Sequence, residues 1–129
     1  MIAKDIMTRE IITVNPNMNV KTLAMTLIKN QISGAPVAGK DGKIVGIVSE
    51  ADIVAKKGKD VKAIMSKKVI SVGEDTTVEE LAQLMTTHAI KRLPVMNSGK
   101  IVGIVSRADI VSAIALGHHI AIQTPVYDL

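Results

Sequence analysis

The stretch KIVGIVSEADIV, residues 43–54, recurs at 100–111 as KIVGIVSRADIV, with Glu50 against Arg107 as the single difference. Such a match inside 129 residues marks an internal duplication, and sliding the chain against itself extends it in both directions. Asp5-Ile6-Met7-Thr8 aligns with Ala63-Ile64-Met65-Ser66, and Ile11–Val14 with Val69–Val72. Val20, Leu23, Ala24 and Leu27 fall on Val78, Leu81, Ala82 and Met85, and Ala35-Pro36-Val37 falls on Leu93-Pro94-Val95, all at an offset of 58. The offset drops to 57 beyond Lys40-Asp41-Gly42, which the shorter Ser98-Gly99 matches. A one-residue change of this kind sits easily in a hairpin turn. The chain therefore divides into a first repeat, 1–58, a second, 59–116, and a tail, 117–129.

Each repeat predicts the same order of elements. A short β-rich run (Ile11–Val14; Val69–Val72) leads into a helix whose apolar residues, Val20, Leu23, Ala24, Leu27 and Ile28, share one face. Two strands follow, Ala35–Ala38 and Lys43–Ser49, joined through Gly39-Lys40-Asp41-Gly42, and Ser49 opens a second helix. The unit reads β-α-β-β-α, an α/β (α+β) class. The run Ile44-Val45-Gly46-Ile47-Val48 is apolar without alternation, which predicts cover on both of its faces. One repeat covers one face with its own helices, and the second copy is expected to supply the rest.

Composition narrows the function. The chain has no Cys, which removes disulfides, thiolate metal sites and thiol nucleophiles. Aromatic residues make up 1% of it, so the core is built from Ile, Val, Leu, Met and Ala, and the dispersed methionines serve as filler. No segment has the length of a membrane span and the N-terminus lacks the apolar stretch of a signal peptide, so no membrane association and a cytoplasmic location are expected. A net charge of +4 favours anionic partners. No catalytic motif is present, and the Ser and Asp of the duplicated segment have no His between them, so no enzyme activity is expected. His118-His119 diverge on a helix and His88 sits near a helix end, so no metal site is expected.

Ser49-Glu50-Ala51-Asp52 and Ser106-Arg107-Ala108-Asp109 have the form of capping boxes. The same placement suits a ligand. A helix start directly after a strand presents N–H groups to a phosphate, and an Asp one turn on offers two oxygens to the hydroxyls of a ribose. Gly46 and Gly103 leave room for close approach on the strand.

These motifs, D-I-M-T at 5–8, the Ala35-Pro36-Val37 and Leu93-Pro94-Val95 strands, and G-I-V-S-x-x-D-I at 46–53 and 103–110, resemble a tandem pair of CBS domains, the cystathionine β-synthase motif. The resemblance covers residues 1–116. It implies a pseudo-twofold pair whose cleft holds an adenosyl ligand: AMP, ADP, ATP or S-adenosylmethionine. It assigns Asp52 and Asp109 to ribose, and Ser49 and Ser106 to phosphate or ribose. Ile12, Ile32 and Ile47 would hold adenine in one site, and Ile70, Ile90 and Ile104 in the other. Before the second-strand Pro stands Lys91-Arg92-Leu93, where the first copy has Ser33-Gly34-Ala35. The resemblance gives Lys91 and Arg92 a phosphate role, sets Ser33 at the matching place, and implies unequal sites.

The expected function is a stand-alone regulatory module that passes ligand occupancy to a separate effector protein. Self-association is expected through the helices after the motifs, which carry Ile53, Val54, Ile110, Val111 and Ile114, giving a homodimer. A nucleic-acid-binding regulator is the alternative, disfavoured because Tyr127 is the one aromatic residue available for base stacking. A structural dimer with an empty cleft is the other alternative.

Overall fold

The computed structural model describes residues 1–116 in the order α1 (Ala3–Ile6), α2 (Val20–Asn30), β1 (Gly34–Ala38), β2 (Ile44–Ser49), α3 (Glu50–Ala55), α4 (Val61–Ile64), β3 (Val72–Gly73), α5 (Val78–Thr87), β4 (Arg92–Asn97), β5 (Lys100–Ser106) and α6 (Arg107–Ala115). The expected mixed architecture is present in both copies. The tail, with His118, His119 and Tyr127, lies outside the described residues. No described helix is long and apolar enough to cross a membrane.

The described chain forms two compact units, and their boundaries are offset from the sequence repeat. One unit is residues 12–69; the other is residues 1–11 together with those from Ile70 onward. Each unit thus takes its hairpin and longer helices from one repeat, and its four-residue helix with the I-M-[ST] segment from the other.

In the unit 12–69, Asn19 caps α2 by accepting the Thr22 N–H at 2.8 Å. Leu23 and Leu27 are buried against Val37, Val48, Val61 and Ile64. Ile28, expected on the same face, is exposed, because it lies two residues from the helix end at Asn30 and nothing in the unit covers it. Gln31 adopts a left-handed φ of 54°, and the Ile32 N–H returns to the Leu27 carbonyl at 3.0 Å, closing the helix. The β1–β2 hairpin then pairs Gly34 with Ser49 and Pro36 with Ile47. The expected leading strand shrinks to one parallel bridge, Val14 with Val37.

The other unit repeats this plan. Thr77 caps α5 by accepting the Glu80 N–H at 3.2 Å, and Val78, Leu81, Ala82 and Met85 bury the expected face. Ala89 takes the left-handed position with φ 52°. Here the leading strand survives as β3, parallel to β4, and β4 pairs with β5 from Arg92–Ser106 to Asn97–Lys100. The two-residue turn has positive φ at both positions, 52° at Ser98 and 79° at Gly99, the geometry that matches strand twist.

The unbroken apolar run has a different cause from the one expected. Val37 pairs with Gly46 but Ala38 pairs with Ile44, so Val45 is an extra, bulged residue; Val102 holds the same place in β5. The bulge resets the alternation. Gly46 and Val48 face the core, whereas Ile47 is half-buried and Val45 is 41% exposed.

The outer edge of each second strand is closed by the borrowed segment. Ile47 and Ser66 exchange backbone bonds of 2.9 and 2.8 Å, and Ile104 and Thr8 exchange bonds of 3.0 and 2.9 Å. Met65 and Met7 lie over the glycines of these strands. A Cβ on Gly46 would come within 2.6 Å of Met65 Sδ and 2.8 Å of the Ser66 carbonyl, and one on Gly103 would overlap Met7 Sδ. The space expected for a ligand at Gly46 and Gly103 is therefore occupied by the protein's own methionines.

Candidate functional site

Strand alternation and pairing gather most of the sequence-predicted residues at one end of each hairpin. In the unit 12–69, Ile47 and Ser49 lie on the same face of β2, opposite the face that Val48 buries. Gly34 stands directly across from Ser49, which brings Ile32 and Ser33 to the same end. Val14 bonds to β1 in parallel, so Ile12, two residues earlier, lies toward that end as well. In the other unit Ile104 and Ser106 share a face of β5, Arg92 pairs across from Ser106, and Lys91 and Ile90 precede it. The bridge of Val72 with Val95 carries Ile70 toward the same end.

The isoleucines at these ends, Ile12, Ile32, Ile47, Ile70, Ile90 and Ile104, are all half-buried. Ile32, Ile70 and Ile90 pack partly on their unit's core. Ser49, Ser106, Asp52, Asp109 and Arg92 are half-buried too, and Ser33 and Lys91 are exposed.

Both motifs form the capping box that S-x-x-D predicts. The Ser49 N–H donates to Asp52 Oδ2 at 2.9 Å, and the Ser106 N–H donates to Asp109 Oδ2 at 2.7 Å. The next amide of each helix is taken as well: Glu50 N–H donates to the Ser33 carbonyl at 2.8 Å and Arg107 N–H to the Lys91 carbonyl at 2.9 Å. The first pair of bonds closes each motif on itself, and the second ties it to the residue just before β1 or β4. Together they consume amides at each helix start, which leaves fewer free N–H groups there.

The two copies differ at the hydroxyl and at the second carboxylate oxygen. Ser106 Oγ accepts the Asp109 N–H at 3.2 Å, whereas Ser49 Oγ donates to Asp52 Oδ2 at 3.3 Å. Asp52 Oδ1 is held by Lys56 Nζ at 2.8 Å. Asp109 Oδ1 has no hydrogen-bond or ion-pair partner among the described residues. Lys56 is a residue that motif reading passes over: its counterpart at an offset of 57 is Ala113, and a basic residue four after an acid on a helix was the available signal.

On the helices after the motifs, the outward residues are Val54, 88% exposed, and its counterpart Val111, 63% exposed, with Ile114 and Leu116. Ile110 does not belong with them. It is 5% exposed and packs with Val105 and Leu81 in the unit's core, because the helix phase points it inward.

Among the described residues no group of acidic and His side chains is arranged to hold a metal. Comparison with known proteins places this geometry. The CBS domain family model matches residues 3–58 and again 61–116. The crystal structure of CBSX2 in complex with AMP is similar over 89% of this chain and 96% of its own, with a TM-score of 0.84 at 28% identity. The CBS domain pair of protein MJ0100, in complex with 5′-methylthioadenosine and S-adenosyl-L-methionine, has a TM-score of 0.84 at 33% identity and the same coverage of 89% and 96%. Inosine-5′-monophosphate dehydrogenase of Methanocaldococcus jannaschii is 33% identical over 84% of this chain, which spans 22% of that enzyme's length. With the duplicated S-x-x-D hairpins in place and the family model matching both halves, the chain belongs to the CBS domain family as a tandem pair.

Proposed function

We propose that this CBS pair is a regulatory module that binds an adenosyl ligand, AMP, ADP, ATP or S-adenosylmethionine, and signals occupancy to a partner protein. The observation that carries the reading is the convergence, in both units, of the motif Ser, the motif Asp and an isoleucine from the same strand face at one hairpin end. The complexes of CBSX2 with AMP and of the MJ0100 pair with adenosyl compounds support the ligand class. In this reading Asp52 and Asp109 accept from ribose hydroxyls, and Ser49 and Ser106 contact ribose or phosphate. Arg92, Lys91 and, in the first copy, Ser33 border the phosphate. Ile12, Ile32 and Ile47, and Ile70, Ile90 and Ile104, take the adenine. No catalytic role is assigned to any residue.

Occupancy reaches a partner through the helix surfaces. Val54 and Val111 stand outward at matching motif positions, and an apolar surface between α2 and α3, formed by Ile28, Ile53 and Val54, is open. A twofold homodimer covers such a surface with itself. The effector that reads this assembly is a separate protein in this reading.

A thermal-shift panel of AMP, ADP, ATP, S-adenosylmethionine, GTP and NADH tests the ligand reading. A ligand at a hundredfold excess over its Kd adds about 2.7 kcal/mol, a rise of roughly 10 °C for a chain of this size. Absence of any shift with every adenosyl compound at millimolar concentration overturns the proposal. GTP acting as strongly as ATP overturns the adenine assignment.

A further inference from the structure

The first-copy Asp is already occupied. Lys56 Nζ lies 2.8 Å from Asp52 Oδ1, and it also donates to the Ile64 carbonyl at 3.1 Å. Its position is built by the local fold. Helix α3 stops at Ala55, and Lys56 is extended, with ψ of 149°. Two residues on, Gly58 lies so close to α4 that a Cβ there would come within 2.7 Å of the Ala63 Cβ and 2.9 Å of Ile64 Cγ2. This contact brings the end of α4 under the ammonium. In the second copy α6 continues unbroken to Ala115, and the position equivalent to Lys56 is Ala113, which is buried. Among the described residues no cation takes the Lys56 place on Asp109.

We infer that Lys56 is a built-in competitor for ribose in the first copy, an internal counter-ion that makes the Asp52 site weaker than the Asp109 site. The inference rests on the adenosyl-binding reading above. A ribose hydroxyl is a neutral donor that must share Asp52 Oδ1 with an ammonium or displace it, whereas Asp109 Oδ1 meets no such competitor among the described residues. Displacement has a second effect. Lys56 is the side chain tying Asp52 to the carbonyl at the end of α4, so an occupied first site loosens the segment Val61–Met65 from α3, and an occupied second site has no equivalent outlet.

The pair is partly solvated, with Lys56 46% and Asp52 15% exposed, so the competition is worth about two- to fivefold in affinity. Calorimetry with adenosine, a probe without phosphate, reads it free of any direct attraction between Lys56 and a ligand's charge. The native chain should show two classes of site, with D109N removing the tighter and D52N the weaker. K56M, which keeps the aliphatic stem, should tighten the weaker class about two- to fivefold and leave the other unchanged, and in D52N it should be silent. Amide exchange at Val61–Met65 should accelerate on saturating the native chain and be fast already in K56M. Adenosine binding that K56M leaves unchanged or weakens overturns the competitor role while the adenosyl-binding reading stands. No adenosine binding to the native chain overturns both.

Discussion

Alanine at Gly46 and Gly103 separates packing from ligand approach. Neither glycine has a positive φ, so alanine strains no backbone, and by itself it gains about 0.4–1 kcal/mol from a stiffer unfolded chain. Against this stands overpacking, commonly about 1–3 kcal/mol. At Gly46 the new Cβ meets the Ser66 carbonyl at 2.8 Å, and that oxygen is fixed by its bond from the Ile47 N–H at 2.9 Å, so the backbone bridge itself must move. At Gly103 the close atoms all belong to the Met7 side chain, with Cγ at 2.8 Å and Cβ at 3.1 Å, and part of the overlap relaxes by rotation. We expect a net loss of about 2 kcal/mol for G46A and about 1 kcal/mol for G103A, or roughly 1 M and 0.5 M in urea midpoint. The cycle with the methionines sharpens the test. M7A in the G103A background should show a favourable coupling of about 1 kcal/mol, whereas M65A rescues G46A less, since the Ser66 carbonyl remains. Unchanged or raised midpoints in both single variants would refute the packing argument. Intact midpoints with lost nucleotide binding would return the glycines to a ligand role.

Gln31 and Ala89 hold left-handed conformations at equivalent helix ends, so Q31G and A89G should each stabilise by about 0.5–1 kcal/mol in urea titrations, and a loss would mean their side chains contribute more than their backbones cost. D109N keeps an acceptor for the Ser106 N–H, so stability should fall by about 1 kcal/mol or less while AMP affinity drops tenfold or more; lost stability with intact affinity would leave Asp109 a cap only. V54E with V111E should turn a dimer into a folded monomer in sedimentation, with the melting temperature lowered only by the lost association, because both positions are exposed, whereas I110E should unfold the chain. A monomeric native chain would remove the dimer proposal.

Much of the fold was written in local chemistry. Asp41-Gly42 and Ser98-Gly99 marked turns, Ser49 marked a helix start, and the apolar face Val78, Leu81, Ala82 and Met85 packed as its spacing predicted. The bulges at Val45 and Val102 were hidden because an apolar residue there reads the same whether paired or extra. The exchange of the I-M-[ST] segments was hidden for a different reason. Met7 and Met65 sit in matching motifs, so pairing within a repeat and pairing across repeats leave the same residue pattern. At the site, Ser and Asp were legible as a pair, but the sequence has no mark for which carboxylate oxygen the cap uses. Ile110 and Val111 differ by one residue along a helix, and tertiary packing alone decides which is core.

The borrowed segments set a timetable for synthesis. Ile47 and Ser66 are 19 residues apart in sequence, whereas Thr8 and Ile104 are 96 apart. The longer closure costs about 1.4 kcal/mol more chain entropy. A ribosome that has released Val69 has delivered a whole unit, but Ala3, Ile6 and Met7 must wait for β5, which ends at Ser106, 37 residues later. At ordinary elongation rates that is about 2–7 s with the opening apolar segment unpaired and open to chaperones. Protease treatment of stalled nascent chains should therefore find residues 12–69 protected while the first eleven are still cut, and simultaneous protection would contradict this order.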